Sequence, residues 1–193
     1  MNYENILKNV GKHISLDKIE IDYFVSLLTH KEISKNKLIL KEGQPCRYIN
    51  YVIKGALRAY SFDMKGKENS IMFAIDDWWI TDIHGFVKEK AAIMNVESIE
   101  DSTIFQLQKT DLDKLYDKVP RFEKFFRILM QNSYIREQLR TRQILTEPAE
   151  ERYHSFTKKY PLFVQHIPLK FIASYLGVTP QFLSVIRKRK GHN

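Results

Sequence analysis

The side chains best arranged for chemistry lie near the C-terminus, in IPLKFIASYLGVTPQFLSVIRKRK at 167–190. Leu169 to Leu176 has the pattern of a short helix, Gly177 to Thr179 that of a turn, and a second helix starts at Pro180. Ala173 is small where two helices would cross closely, and Ile172, Leu176, Val178, Leu183 and Ile186 would form their shared core. Gly177 can take the left-handed conformation that ends the first helix. Thr179 can cap the second, and Pro180 falls in its first turn, where a missing N–H costs nothing. Folded as a helix-turn-helix, this stretch turns Gln181, Ser184, Val185 and Lys188 outward on one face, next to the cap at Thr179. Side chains so placed can read base edges in the major groove of DNA, while Arg187, Arg189 and Lys190 flank them as phosphate clamps. A plain pair of antiparallel helices would explain the same core, but not its coincidence with the charge.

The formal charge is +8, from 31 Lys and Arg against 23 Asp and Glu, and it is unevenly spread. Residues 1–117 hold 16 basic and 18 acidic residues, whereas residues 118–193 hold 15 and 5. The whole excess therefore belongs to the C-terminal part, as expected when one domain meets an anionic partner. A solvated basic surface is the plain alternative. A membrane surface would require an amphipathic helix with a basic face, and the helix-turn-helix favours DNA over it.

Other candidates for chemistry are thin. His84 sits beside Asp82, and His30, His154 and His166 are scattered without the dense spacing of a metal site, so neither metal nor cofactor is expected. Cys46 is the single cysteine, which excludes an internal disulfide or a cysteine-ligated cluster; beside Arg47 it reads as a packed thiol. Trp78 and Trp79 follow Asp76 and Asp77; in a strand one of the two rings must face outward, as the wall of a ligand pocket or as an interface patch. No nucleophile elbow, glycine-rich phosphate loop or informative carboxylate pair is present, so no enzyme is expected. The competing reading is a ligand-binding β-roll, or a metal-dependent enzyme of cupin-like type, with a degenerate helix-turn-helix. MNYENILKNVGKHIS lacks the apolar core of a signal peptide, and no apolar run approaches the ~18 residues of a membrane span, so a cytoplasmic location is expected.

Several elements must position these groups. In the first thirty residues Ile19, Phe24, Leu27 and Leu28 have helical spacing. From Ile33 short β-type runs follow, ISKNKLILKEG, YINYVIKGALRAYSF, NSIMFAIDDWWI and NVESIEDSTIFQLQ, with Gly43, Gly55 and Gly66 at turns. They predict one antiparallel roll. Thr110 reads as the cap of a helix, and Pro120 can begin another. From Phe122 to Leu145 there is neither Gly nor Pro, and Phe122, Phe125, Phe126, Leu129, Met130 and Leu139 recur at helical spacing. This helix, roughly 35 Å long, needs a partner along its apolar stripe, either its own roll or a second copy of the chain. A shorter helix with Ala149, Tyr153 and Phe156 inward ends at Pro161. The fold class is α+β: an N-terminal antiparallel β-roll of jelly-roll type, a long helix, and a C-terminal helix-turn-helix.

In this order of parts, and in LILKEGQPCRYINYVIKGALRAY at 38–60 with Glu42–Gly43 at a turn and Gly55 before LRAY, the chain resembles the Crp/Fnr-type transcription regulators. The resemblance implies a cyclic-nucleotide-binding-like sensor roll at 1–117, a dimerisation helix at 118–146 and a winged-helix-like DNA-binding domain at 147–193. It further implies a homodimer joined along the stripe from Phe122 to Leu139, a two-fold symmetric double-stranded operator, contact with RNA polymerase, and a small-molecule effector in the roll.

Two departures from the family pattern matter. Members that bind cyclic AMP carry a Gly-Glu pair followed by an arginine for the phosphate; here Thr81–Asp82 and then Ala91, Ala92 and Ile93 stand in those places. Lys88 and Lys90 offer only point charges, so cyclic AMP is not expected, and Trp78, Trp79, Asp82, Lys88 and Lys90 remain as a candidate pocket for another ligand. In the second helix Gln181 stands for the family's base-reading glutamate, while Pro180 and Val185 replace its arginines. A different base preference follows: glutamine pairs with adenine, and valine packs on a thymine methyl.

Overall fold

The computed structural model describes residues 2–190, apart from the side chains of residues 188–190. Two helices lead in, α1 (Glu4–Gly11) and α2 (Lys18–Ser26), the second opened by a reciprocal cap between Asp17 and Glu20. The strands are β1 (Leu28–Ile33), β2 (Leu38–Leu40), β3 (Tyr48–Lys54), β4 (Ala56–Phe62), β5 (Glu68–Ile75), β6 (Trp79–Ile80), β7 (Asn95–Ser98) and β8 (Ser102–Gln108). They pair antiparallel in two four-stranded sheets, β1-β8-β3-β6 and β2-β7-β4-β5. A short helix, α3 (Ile83–Lys88), lies between β6 and β7.

Strand alternation sorts the side chains into two layers. Ile49, Tyr51, Phe105 and Leu107 pack toward the helices, whereas Val52, Ile104, Leu57, Ala59 and Val96 meet between the sheets. Both faces of β3 and β8 are thus covered, and the polar pair buried between the sheets is bonded to itself and to β6: Gln106 Nε2 donates to Asn50 Oδ1 at 2.7 Å and Asn50 Nδ2 to Ile80 O at 3.2 Å, while Gln106 Oε1 is left without a protein partner. Gly55, at φ +106°, joins β3 to β4 where a Cβ would lie 2.3 Å from Ser102 Oγ. Two local expectations need correcting. Leu27 and Leu28 do not continue a helix, because β1 begins at Leu28 and pairs with β8. Thr110 does not cap: α4 (Lys109–Lys118) follows directly from β8, with Gln108 at its N-cap and no side-chain bond there.

The long helix α5 (Arg121–Thr146) divides into two halves. Phe122, Phe125 and Phe126 are fully buried against Phe24 and Trp79, so three residues of the expected dimer stripe belong to the chain's own core. Leu129 and Met130 are half-buried over the roll, and Leu139 is exposed, as are Tyr134, Ile135 and Leu145. Apolar spacing identifies a face but not what covers it. Here the roll takes the first turns and leaves the last ones open.

Four helices follow: α6 (Ala149–Lys159), α7 (Pro161–His166), α8 (Leu169–Tyr175) and α9 (Pro180–Lys190). Pro161 does not merely end α6; it opens α7 at a first-turn position. No strand follows β8 among the described residues, so the winged-helix likeness rests on the helices alone. These helices are docked on β5, the outer strand of its sheet. An outer strand presents unpaired N–H and C=O groups. Several at the start of β5 are taken up by side chains: Ser174 Oγ accepts from Ser70 N–H at 2.9 Å and donates to Glu68 O at 3.1 Å. Arg140, on α5, donates to Ser70 O, to Ile71 O and to Tyr175 O at the end of α8, its guanidinium 4.1 Å from the Tyr175 ring. Beneath them Arg58 is buried with Glu68 and Glu97 and lies 3.8 Å from the Phe171 ring.

Arg140 therefore joins roll, long helix and C-terminal helices at once. Hydrogen bonds from a charged donor contribute about 1.5–3 kcal/mol each. Arg140→Ala should leave the roll folded while amide exchange across Glu68–Met72 and α8 rises by about tenfold or more. Unchanged exchange in both segments would show that the apolar contacts alone hold the docking.

Candidate nucleic-acid interface and roll cavity

The chain bends by 109° between α8 and α9, within the ~90–120° of a helix-turn-helix. Local chemistry fixes that bend. Gly177 sits at φ +69°, and Val178 N–H closes on Ala173 O at 3.0 Å. Thr179 Oγ1 accepts from Phe182 N–H at 3.2 Å, so its hydroxyl acts as a cap. Ile172, Ala173, Leu176, Leu183 and Ile186 are buried together, with Val178 packed against them.

Gln181, Ser184, Val185 and Arg187 are exposed on α9. Ser184 Oγ turns back to donate to Pro180 O at 2.9 Å. The side chains of Lys188, Arg189 and Lys190 lie outside the described residues. Sequence reasoning missed Phe182, which is 43% exposed beside Gln181. Its signal was its position, since it falls between the core residues of this helix and its polar face. Arg152 was missed as well: it donates to Leu176 O and Glu147 O, putting positive charge at the carbonyl ends of α8 and α5.

The second site is a cavity of about 650 Å3 between the roll and α5. Its walls are mainly apolar, with Trp78, Trp79, Met72, Met94 and Met130 among them, and Asn132, Ser133, Arg136 and Glu137 reach it from α5. Neither tryptophan faces outward. Trp79 is buried with its indole N–H on Asn9 Oδ1 at 3.0 Å. Trp78 lies just before β6 and is covered by α7 through Phe163, ring centroids 5.0 Å apart, and by the Arg136 guanidinium. The polar end is tightly bonded: Asp77, in the left-handed region at φ +71°, accepts from Asn9 Nδ2, Tyr51 Oη and Lys12 Nζ. Burial and the Asp77 carboxylate push the Tyr51 hydroxyl well above the ordinary tyrosine range.

The rest of the expected ligand pocket is not brought together. Asp82 is fully buried away from the cavity and serves the fold: its carboxylate caps α3 at Gly85 N–H (3.0 Å) and accepts from Ile93 N–H (2.5 Å) and Met94 N–H (3.1 Å). A buried carboxylate needs such donors, and the loop supplies them. Lys88 and Lys90 are exposed at the far end of α3, outside the cavity lining. Cys46 is buried against Thr81, and burial pushes its thiol up, away from reactive thiolate. His84 is exposed, His30 packs on Phe105, and His166 bonds Glu100 at 2.9 Å. Among the described residues no three His, Cys, Asp or Glu side chains converge as metal ligands. No single helix among them is long and apolar enough to cross a membrane.

Residues 30–119 match the family model of the cyclic nucleotide-binding domain. The anaerobic regulatory protein of Pasteurella multocida (strain Pm70) is 24% identical over 188 residues, an alignment covering 88% of this chain and 66% of that relative. The chain thus spans about two thirds of the relative's length. Among solved structures, FixK2 from Bradyrhizobium japonicum superposes with a TM-score of 0.73 at 17% identity, over 84% of this chain and 83% of that one. CooA from Carboxydothermus hydrogenoformans gives 0.71 at 14% identity, over 98% of this chain and 84% of that one. These two are likenesses of fold, and the second, covering 98% of this chain, extends into the helices that follow the roll. The chain thus matches the cyclic nucleotide-binding domain by sequence across the roll, and its fold is similar to that of FixK2 and CooA.

Proposed function

We propose that this protein is a homodimeric transcription regulator, not an enzyme, that binds a two-fold symmetric DNA site in the cytoplasm through α9. The exposed row Gln181, Ser184, Val185 on a helix held at 109° to its neighbour carries the reading. The basic excess of residues 118–193, 15 against 5, supports it. Selection from a random DNA pool by the purified protein should enrich a symmetric sequence bound at least about tenfold more tightly than scrambled DNA. Affinity should fall steeply with salt on both. Failure to enrich any sequence overturns the reading.

Two recognition helices require two copies, and the C-terminal half of α5 is the seam we assign. Ile135 is 52% and Leu139 43% exposed, one helical turn apart on one face. Ile135→Glu combined with Leu139→Glu should halve the mass measured in solution while leaving the near-UV circular dichroism of the roll unchanged. A wild-type protein that is already monomeric at micromolar concentration sinks the dimer.

The effector is assigned to the apolar cavity beneath α5, and it is not a cyclic nucleotide. The amides of Gly85, Ile93 and Met94 are already held by Asp82, and Ala91, Ala92 and Ile93 offer no guanidinium. A phosphate brought beside that buried carboxylate would meet like charge. Calorimetric titration with cyclic AMP and cyclic GMP should give no binding heat, and a dissociation constant in the low micromolar range would overturn the assignment.

A further inference from the structure

We infer that α9 selects its half-site through the 5-methyl groups of thymine, read by Val185 with Phe182 at its flank, so that the step facing Gln181 and Val185 is A·T. This inference rests on the DNA-binding reading above. Helix α9 already buries Leu183 and Ile186 against α6 and α8, so its contribution to the core is met. Val185 and Phe182 are nevertheless 48% and 43% exposed. A half-exposed valine lowers helix propensity and gains only part of the burial that Leu183 and Ile186 have, so folding gives little reason for it.

The neighbouring chemistry points to the same base pairs. Gln181 and Val185 are four residues apart and share a face, and Phe182 is three before Val185. Arg187, two residues beyond Val185, projects away from that face. Guanine is read chiefly by a bidentate arginine or by lysine on O6 and N7; Lys188, three residues after Val185, falls on this face by its sequence position and can take a guanine one turn beyond the step that Gln181 and Val185 face. Glutamine pairs with adenine N6 and N7, and an apolar side chain packs on the thymine methyl. Ser184, bonded back to Pro180 O, has its hydroxyl proton engaged. The turn that carries Gln181 and Val185 thus matches adenine and thymine.

Uracil isolates the methyl, because it keeps every hydrogen-bonding group that thymine shows in the groove and lacks only that one carbon. The enriched duplex is compared with copies carrying deoxyuridine for thymidine at single half-site positions, for the wild type and for Val185→Ala, which folds at no helical cost. Burying one methyl is worth about fourfold in affinity. Wild-type binding should weaken about fourfold for each methyl removed, about fifteenfold when both half-sites lose it, whereas Val185→Ala should bind the substituted and unsubstituted duplexes alike. Phe182→Ala should reduce discrimination at an adjacent position. Equal wild-type affinity for thymine and uracil at every half-site position overturns the inference while leaving DNA binding intact. Undiminished discrimination by Val185→Ala removes that residue from the role, and a pool with no enriched sequence overturns the DNA-binding reading and this inference together.

Discussion

The open edge of β5 is the constraint on which the arrangement of this molecule depends. A sheet that ends in solvent leaves a row of backbone donors and acceptors available to any other strand. Here the row is closed from outside the sheet, by Ser174 on the first helix of the helix-turn-helix and by Arg140 on the long helix. The closure uses side chains rather than another strand, so it joins the C-terminal helices to the roll without extending its sheet. Arg58 supports it from below: a guanidinium almost fully buried in the roll, paired with Glu68 and Glu97, lies between the Tyr60 and Phe171 rings. A buried arginine is costly unless its charge is paired and its faces covered; the two carboxylates meet Nε and one terminal nitrogen, the other terminal nitrogen has no protein partner, and one covering face is Phe171, on α8.

The long helix does two jobs because its apolar residues are of two kinds. Phe122, Phe125 and Phe126 are bulky and closely spaced, and they enter the core formed by α2, α4 and the outer face of one sheet. Beyond Leu129 the apolar residues thin out and charge intervenes, so the helix rises from the roll and its later turns carry exposed Ile135 and Leu139 beside Arg136 and Arg140. Between these two regimes lies the cavity, where the helix stands away from Trp78, Met72 and Met94.

Legibility in the sequence followed the range of the forces involved. The helix-turn-helix was readable because it is fixed within a few residues, by the left-handed Gly177, the cap at Thr179 and the small Ala173. The roll was readable from its alternating runs and its glycine turns. Beginning β1 at Leu28 was not, since Thr29, His30, Lys31 and Glu32 are polar and the strand exists through pairing with β8, far along the chain. Asp82 looked like a ligand residue because a carboxylate near a loop gives no sign of the amides that will fold back onto it. Ser174 and Arg140 were silent for the same reason, since their partners lie 106 and 69 residues away in sequence.

The cavity and the docking of the C-terminal helices share their walls. Ile71 lines the cavity while its carbonyl accepts from Arg140, and Glu137 lines it while its carboxylate bonds the same guanidinium at 3.2 Å. Trp78 lines it while its ring packs on Phe163 and Tyr160, in α7 and just before it. A molecule that moves any of these three groups changes the free energy of docking, and by reciprocity the position of the C-terminal helices changes the cavity's affinity for that molecule. The coupling needs no long chain of contacts, because one layer of side chains separates the two. Burial pushes the Tyr175 hydroxyl up to about 12, which keeps this ring neutral beneath the Arg140 guanidinium at physiological pH. The Tyr175 ring therefore stays a neutral face for the guanidinium at the joint between the cavity wall and α8.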